Sequence, residues 1–163
     1  MLIIAAYTTA VCIKQKGIPY SISATFYAIE HKGWFRFTMW ACPMVLMPAI
    51  LEVSKPGTEF LAYLALAGMI VVGCFPDYKA DKFQYRGHIA GAMMEILFSQ
   101  TWVALNFWPM LLAWLPYVSY TALNMAKQEE GTFKDKYIKT KPMFWIEIFS
   151  FGVIYLICLM LRI

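Results

Sequence analysis

The sequence predicts an all-α integral membrane protein, a bundle of six transmembrane helices with both termini outside. Three observations carry this. Hydrophobic residues make up 61% of the chain and charged residues 15%, with a mean hydropathy of +0.57, against roughly 45–50% and about 25% in soluble globular domains. The apolar residues gather into stretches at about 1–13, 34–51, 60–75, 87–101, 107–125 and 143–161, which form a single transmembrane domain and leave no length for a soluble one. Twelve of the fourteen Lys and Arg residues fall in or beside three alternate connections, Lys55 and Arg162 being the exceptions. An excess of basic residues in short loops marks the cytoplasmic side.

The first stretch, 1–13, is shorter than the roughly 20 residues a span needs. It lacks a basic segment before the apolar run, and Lys14 and Lys16 follow it, so a retained first span is expected rather than a cleaved leader. The connection after it, 17–33, is apolar yet rich in hydroxyls, with Ser21, Ser23 and Thr25 among Ile18, Ile22 and Phe26. Such a segment is expected to lie in the interface or to fold back into the bundle, where it would close the cytoplasmic end of a cavity; irregular backbone at depth needs protein or a wet cavity around it. The second stretch carries Pro43 and Pro48 and the fifth carries Pro116, which should bend those helices.

The region 87–125 has little charge and could be one tilted helix or two. As two helices it leaves twelve basic residues on one side and two on the other; as one, the five lysines of the 127–141 loop cross over and the bias disappears. Two helices are therefore expected, with the turn near 100–106, Asn106 as a helix cap and Pro109 in the first turn of the next helix. Trp34, Tyr78, Tyr85, Tyr137 and Trp145 are expected at the cytoplasmic interface, and Trp102 and Trp108 at the outer one.

This topology places the protein in the cell membrane as a multi-pass protein, the inner membrane in a Gram-negative cell. The net charge of +4 is spread over juxtamembrane loops, which points to membrane lipid as a partner and not to nucleic acid. The four cysteines lie inside apolar segments without a CxxC spacing, so no disulfide framework is expected.

Chemistry is confined to a few polar residues. Glu95 lies about 13 Å of helical rise into the fourth span. Ionisable groups at that depth face the bundle interior and mark functional sites by default. At 3.6 residues per turn, His88, Gly91, Glu95, Ser99 and Trp102 share one face, with Asn106 beyond. Either a ligand-facing wall or hydrogen-bonded glue between helices would produce this stripe. Gly87 and Gly91 have small-xxx-small spacing, expected to serve packing within the monomer. Asp77 and His88 flank the second basic connection, while Ser21, Ser23 and His31 come from the first. Arg36 and Glu147 are shallow enough to pair at the inner interface. The expected ligand contacts are Glu95, His88, Asp77, Ser99, Ser21 and Ser23. No catalytic residue is assigned, and no cofactor is required. Zinc held by His31, His88 and Asp77, with a water in the fourth position, is the alternative that would make a hydrolase.

Three segments resemble a known group. Ser21-Ile-Ser23, Gly68-Met-Ile-Val-Val-Gly-Cys-Phe-Pro76-Asp77 and His88-Ile-Ala-Gly-Ala92 are similar to DRAM/Frag/Sfk-type proteins and a related bacterial group of six-span proteins. The resemblance covers roughly residues 17–105 and implies a six-helix bundle with Asp77 and His88 near the cytoplasmic face, connected with lipid handling and membrane signalling. A more distant likeness to CREST membrane hydrolases implies a metal site at the Ser, Asp and His residues. This chain lacks a paired histidine motif in its last span. The expected function is binding of a lipid or other amphiphile in an intrabundle cavity. Alternatives are a CREST-type metal-dependent membrane hydrolase and an oligomeric channel or membrane scaffold.

Overall fold

The computed structural model describes residues 2–161 and is helical throughout, with no strand among the described residues. Met1 and Arg162, which bear on the first span and on the charge count, lie outside them. The helices are α1 (Leu2–Lys14), α2 (Gly33–Glu52), α3 (Glu59–Cys74), α4 (Lys82–Phe107), α5 (Leu115–Ala126), α6 (Phe133–Lys139) and α7 (Pro142–Met160), with 3-10 segments at Ser23–Tyr27 and Trp108–Trp114. Among the described residues, three helical stretches are long and apolar enough to cross a membrane, Gly33–Glu52, Lys82–Ala126 and Pro142–Met160, and Ile3–Lys14 and Glu59–Cys74 are shorter apolar helices.

The Lys82–Ala126 stretch is not one rod. α4 ends where Phe107 adopts φ −147° and ψ 57°, and the chain turns back so that Trp114 Nε1 donates to Gln100 Oε1 at 2.9 Å. A straight helix would hold those residues about 21 Å apart. The reversal therefore sits at Phe107 and Trp108, and 100–106 is continuous helix. Asn106 caps nothing there. Its Nδ2 donates to Trp102 O at 2.9 Å and its Oδ1 accepts from Lys55 N at 2.6 Å and Thr58 Oγ1 at 3.1 Å, so it clasps the α2–α3 turn. Pro109 does open the following 3-10 segment, and Pro116 opens α5, positions where a missing N–H costs little.

Packing partners give the helix directions. Tyr7 meets Phe35, Trp40 Nε1 donates to Ile70 O at 3.3 Å, and His88 Nδ1 bonds Phe75 O. Glu95 lies beside Ser150, while Trp114 meets Phe149 and Tyr120 meets Trp145. α4 and α7 thus run the same way and α5 runs against both.

The α3 and α4 backbones approach closely because Gly68 and Gly91 face each other there. A Cβ on Gly68 would stand 2.5 Å from Glu95 N and 2.6 Å from Gly91 O, and one on Gly91 would stand 2.9 Å from Gly68 O. The Gly87 and Gly91 pair is thus used within the monomer, Gly87 lying under the Phe75 ring. One apolar core gathers Ile50, Leu66, Trp102, Val103, Val153 and Ile157; a second gathers Ile22, Phe26, Phe35, Met39, Val72 and Phe144. Trp102 is 0% exposed, its Nε1 donating to Ser54 Oγ at 2.8 Å. It is a core residue rather than the interfacial anchor expected, and Trp108, 67% exposed, is free to play that part.

Candidate functional site in the bundle

The site begins with the connection after α1. Ser21 Oγ accepts from Ala24 N at 2.9 Å and Thr25 Oγ1 donates to Ile22 O at 2.5 Å, so the hydroxyls satisfy the backbone of a 3-10 turn whose apolar side chains can then be buried. Ile22 and Phe26 are 1% and 3% exposed. The segment therefore folds back into the bundle, the second of the two placements its composition allowed. Glu147 of α7 holds it there, accepting from Ile22 N and, at 3.1 Å, from Ser23 Oγ. Further anchors are Phe144 N to Tyr20 O at 3.1 Å, Lys141 Nζ to Ile18 O, and a 2.6 Å bond between Tyr7 and Thr25 hydroxyls.

The far side of the same connection docks on the α3–α4 turn. Tyr27 donates to Asp77 Oδ1 at 3.0 Å and accepts from Lys79 N at 2.8 Å, with the Lys79 ammonium 4.6 Å from its ring centre. Desolvation by burial pushes the Tyr27 phenol up to about 12, with Asp77 adding to the rise and the Lys79 N–H opposing it. The 15–32, 75–81 and 127–141 connections thus meet at one end of the bundle, and the turn bearing Lys55 meets the end of α4 at the other.

The stripe read from the sequence is the inward face of α4: His88, Gly91, Glu95, Ser99, Trp102 and Asn106 are all buried. Beside it lies a cavity of about 430 Å³ bounded by the folded-back connection, α3, α4 and α7. Its polar lining includes Ser21, Ser23, Tyr78, His88, Glu95 and Glu147, and methionine, isoleucine, valine and phenylalanine side chains supply most of the remaining wall. Glu95 is 4% exposed. Its Oε2 takes a long bond from Ser150 Oγ at 3.5 Å, and its Oε1 has no partner. His88 Nδ1 lies 2.8 Å from Phe75 O; since a carbonyl only accepts, that nitrogen carries the proton. Its ring sits 4.6 Å from that of Tyr78.

Of the six residues expected to contact a ligand, Glu95, His88, Ser21 and Ser23 therefore line one cavity. Ser99 does not. It is buried one turn further along α4, donating to Ile96 O at 3.1 Å and accepting from Gln100 Nε2 at 3.2 Å. Asp77 stands outside the cavity, spent on Tyr27. His31 is exposed, and among the described residues no three His, Cys, Asp or Glu side chains converge as a metal site needs. His31, His88 and Asp77 are not brought together, so they do not form the zinc site expected of them.

Glu147 is the residue that sequence reasoning misplaced. It does not pair with Arg36, which is exposed; it faces inward, one turn before Ser150 on α7, and joins the cavity wall. The i, i+3 spacing of Glu147 and Ser150 was the available signal. No family model, characterised protein or solved structure matches the chain. What the site does rests on its own chemistry.

Proposed function

We propose that the chain is a six-span cell-membrane protein with both termini outside, which binds a lipid or other amphiphile in the cavity between the folded-back connection and α3, α4 and α7. The alternating directions of α1, α2, α3, α4, α5 and α7 are in keeping with six crossings. α1 and α3, with 13 and 16 residues, would span about 20 and 24 Å, so a six-span arrangement asks for local thinning of the bilayer around them. The Trp108–Trp114 and α5 pair, with 7 and 12 residues, reaches about 32 Å at the rises of the two helix types. The basic end faces the cytoplasm by the positive-inside rule. A six-span bundle handling lipid is also what the resemblance to DRAM/Frag/Sfk-type proteins implies.

The observation that carries the reading is the cavity itself. A largely apolar hollow of about 430 Å³ with a few convergent polar side chains is the form that small-molecule sites take. Glu95 is the fourteenth of 26 residues in α4; in a six-span arrangement its carboxyl would lie near the middle of the span, where an uncommitted oxygen is costly and marks a functional group. A bound amphiphile would lay its chain along the methionine and isoleucine wall and turn its polar end to the Ser, His and Glu side chains. The test is mass spectrometry of protein extracted gently in native lipid. One tightly held amphiphile per chain is expected, with its occupancy falling in Ala92→Trp, which fills the cavity from α4. An empty wild-type protein, or equal occupancy in the filled variant, would contradict the reading.

A further inference from the structure

We propose that the cavity selects a cationic amphiphile, a single-chain amine whose ammonium group is held by Glu95 and Glu147. This rests on the amphiphile-binding reading and names its ligand class.

Four observations converge on it. Both acidic side chains of the wall come from different helices and face one hollow. Glu95 Oε1 is buried without a partner, and each carboxylate oxygen has room for two donors, so Glu147 keeps acceptor capacity beyond the bonds from Ile22 and Ser23. Among the described residues no Lys or Arg lines the cavity, and the nearby Lys79 is committed to Tyr27. The half-buried Tyr78 and the exposed Tyr20 and Tyr85 also line it, and aromatic faces attract an ammonium group.

The chemistry of the lining excludes the opposite charge. A primary ammonium brings three donors and no acceptor, matching two carboxyl groups and the hydroxyl of Ser21 or Ser23. A carboxylate or phosphate head would meet two carboxyl groups with only hydroxyls to donate. A neutral alcohol would engage one of the two carboxyl groups and leave the other without a charge-assisted bond. His88 does not supply a donor on its Nδ1 side, because that N–H is given to Phe75 O.

The experiment measures equilibrium binding of decylammonium, decanol and decanoate to the full chain in phosphatidylcholine nanodiscs, each corrected for empty nanodiscs. The expected result is saturable binding of decylammonium near one equivalent, about tenfold or more tighter than decanol, the step that a charge-assisted bond provides, with decanoate weakest. Glu95→Gln and Glu147→Gln should each lower the affinity for decylammonium by about tenfold and lower that for decanol by less. Equal binding of all three ligands, or tightest binding of decanoate, would overturn the cationic selectivity and leave amphiphile binding standing. No binding of any ligand above empty nanodiscs would remove both. A folded glutamine variant that keeps the wild-type discrimination would also overturn the proposal, and the ligand series on the wild-type chain decides the matter if a variant does not fold.

Discussion

Replacing Glu147 by alanine loosens the hold of α7 on the 22–23 turn of the folded-back connection and leaves the rest of the bundle in place. Two bonds are lost. Ile22, 1% exposed, is left with a buried N–H whose acceptor has gone, a loss of about 1–3 kcal/mol. The Ser23 hydroxyl, 3.1 Å from the same carboxyl, loses an ordinary hydrogen bond of about 0.5–1.5 kcal/mol. Together these weaken docking of the connection by about 2–4 kcal/mol, which raises its open fraction roughly 30-fold to 1,000-fold. The opening stays local, because Phe144 N to Tyr20 O, the Tyr7–Thr25 pair and the Tyr27–Asp77 bond remain. Hydrogen exchange reads it directly: the amides of 21–25 should lose protection by at least about 30-fold, with the amides of α3 and α4 unchanged. Glu147→Gln keeps an oxygen for Ile22 N–H and should lose far less. Unchanged exchange in the alanine variant, or an equal loss in both, would refute the role given to Glu147.

Gly68→Ala should destabilise the protein by about 1–3 kcal/mol as an overpacked contact, since its Cβ would fall 2.5 Å from Glu95 N; Gly152→Ala, with nothing within 4 Å of the new atom, should be neutral or raise the melting temperature in detergent. Asn106→Leu strips acceptors from Lys55 N and Thr58 Oγ1 and should cost about 1–3 kcal/mol, seen as a lower melting temperature and faster exchange in the α2–α3 turn. Asp77→Asn should lower the Tyr27 phenol from about 12, burial still holding it above the ordinary value, measured as the ultraviolet difference titration between each protein and its Tyr27→Phe counterpart. Because the folded value is raised, the stability linked to Tyr27 is present below pH 10 and lost as pH rises through about 12; a titration step at the ordinary tyrosine value would contradict this.

The inward face of α4 was legible because helical periodicity and the cost of a mid-span carboxylate act on sequence alone. The same periodicity ranks His88, Glu95 and Ser99 together, yet Ser99 spends its hydroxyl on Ile96 and Gln100, and only packing against α3 and α7 decides where the hollow lies. Asn106 looked like a cap because a turn was expected nearby. Helix α4 outlasts that expectation because Asn106 and Trp102 are satisfied by the α2–α3 turn, through Lys55, Thr58 and Ser54. Trp102 was read as an interfacial anchor for the same reason: its indole N–H finds a partner inside the bundle, 48 residues away in sequence. Glu147 was misread because depth along a helix says nothing about azimuth, and its partners come from a connection whose fold-back was only one of two expected placements. The separation of His31 from His88 and Asp77 is likewise a tertiary fact: His31 is exposed, and Asp77 is bonded to Tyr27 outside the hollow.

Photolabelling locates a bound amphiphile most directly. A long-chain amine carrying a diazirine near its headgroup, activated in nanodiscs holding the wild-type chain, should label peptides that contain the buried cavity residues Ile22, Met69 and Val72, and excess unlabelled amine should suppress that labelling. Labelling confined to outward residues such as Leu97, Leu105 and Leu112, unaffected by competitor, would place the amphiphile in the surrounding lipid and contradict an intrabundle site.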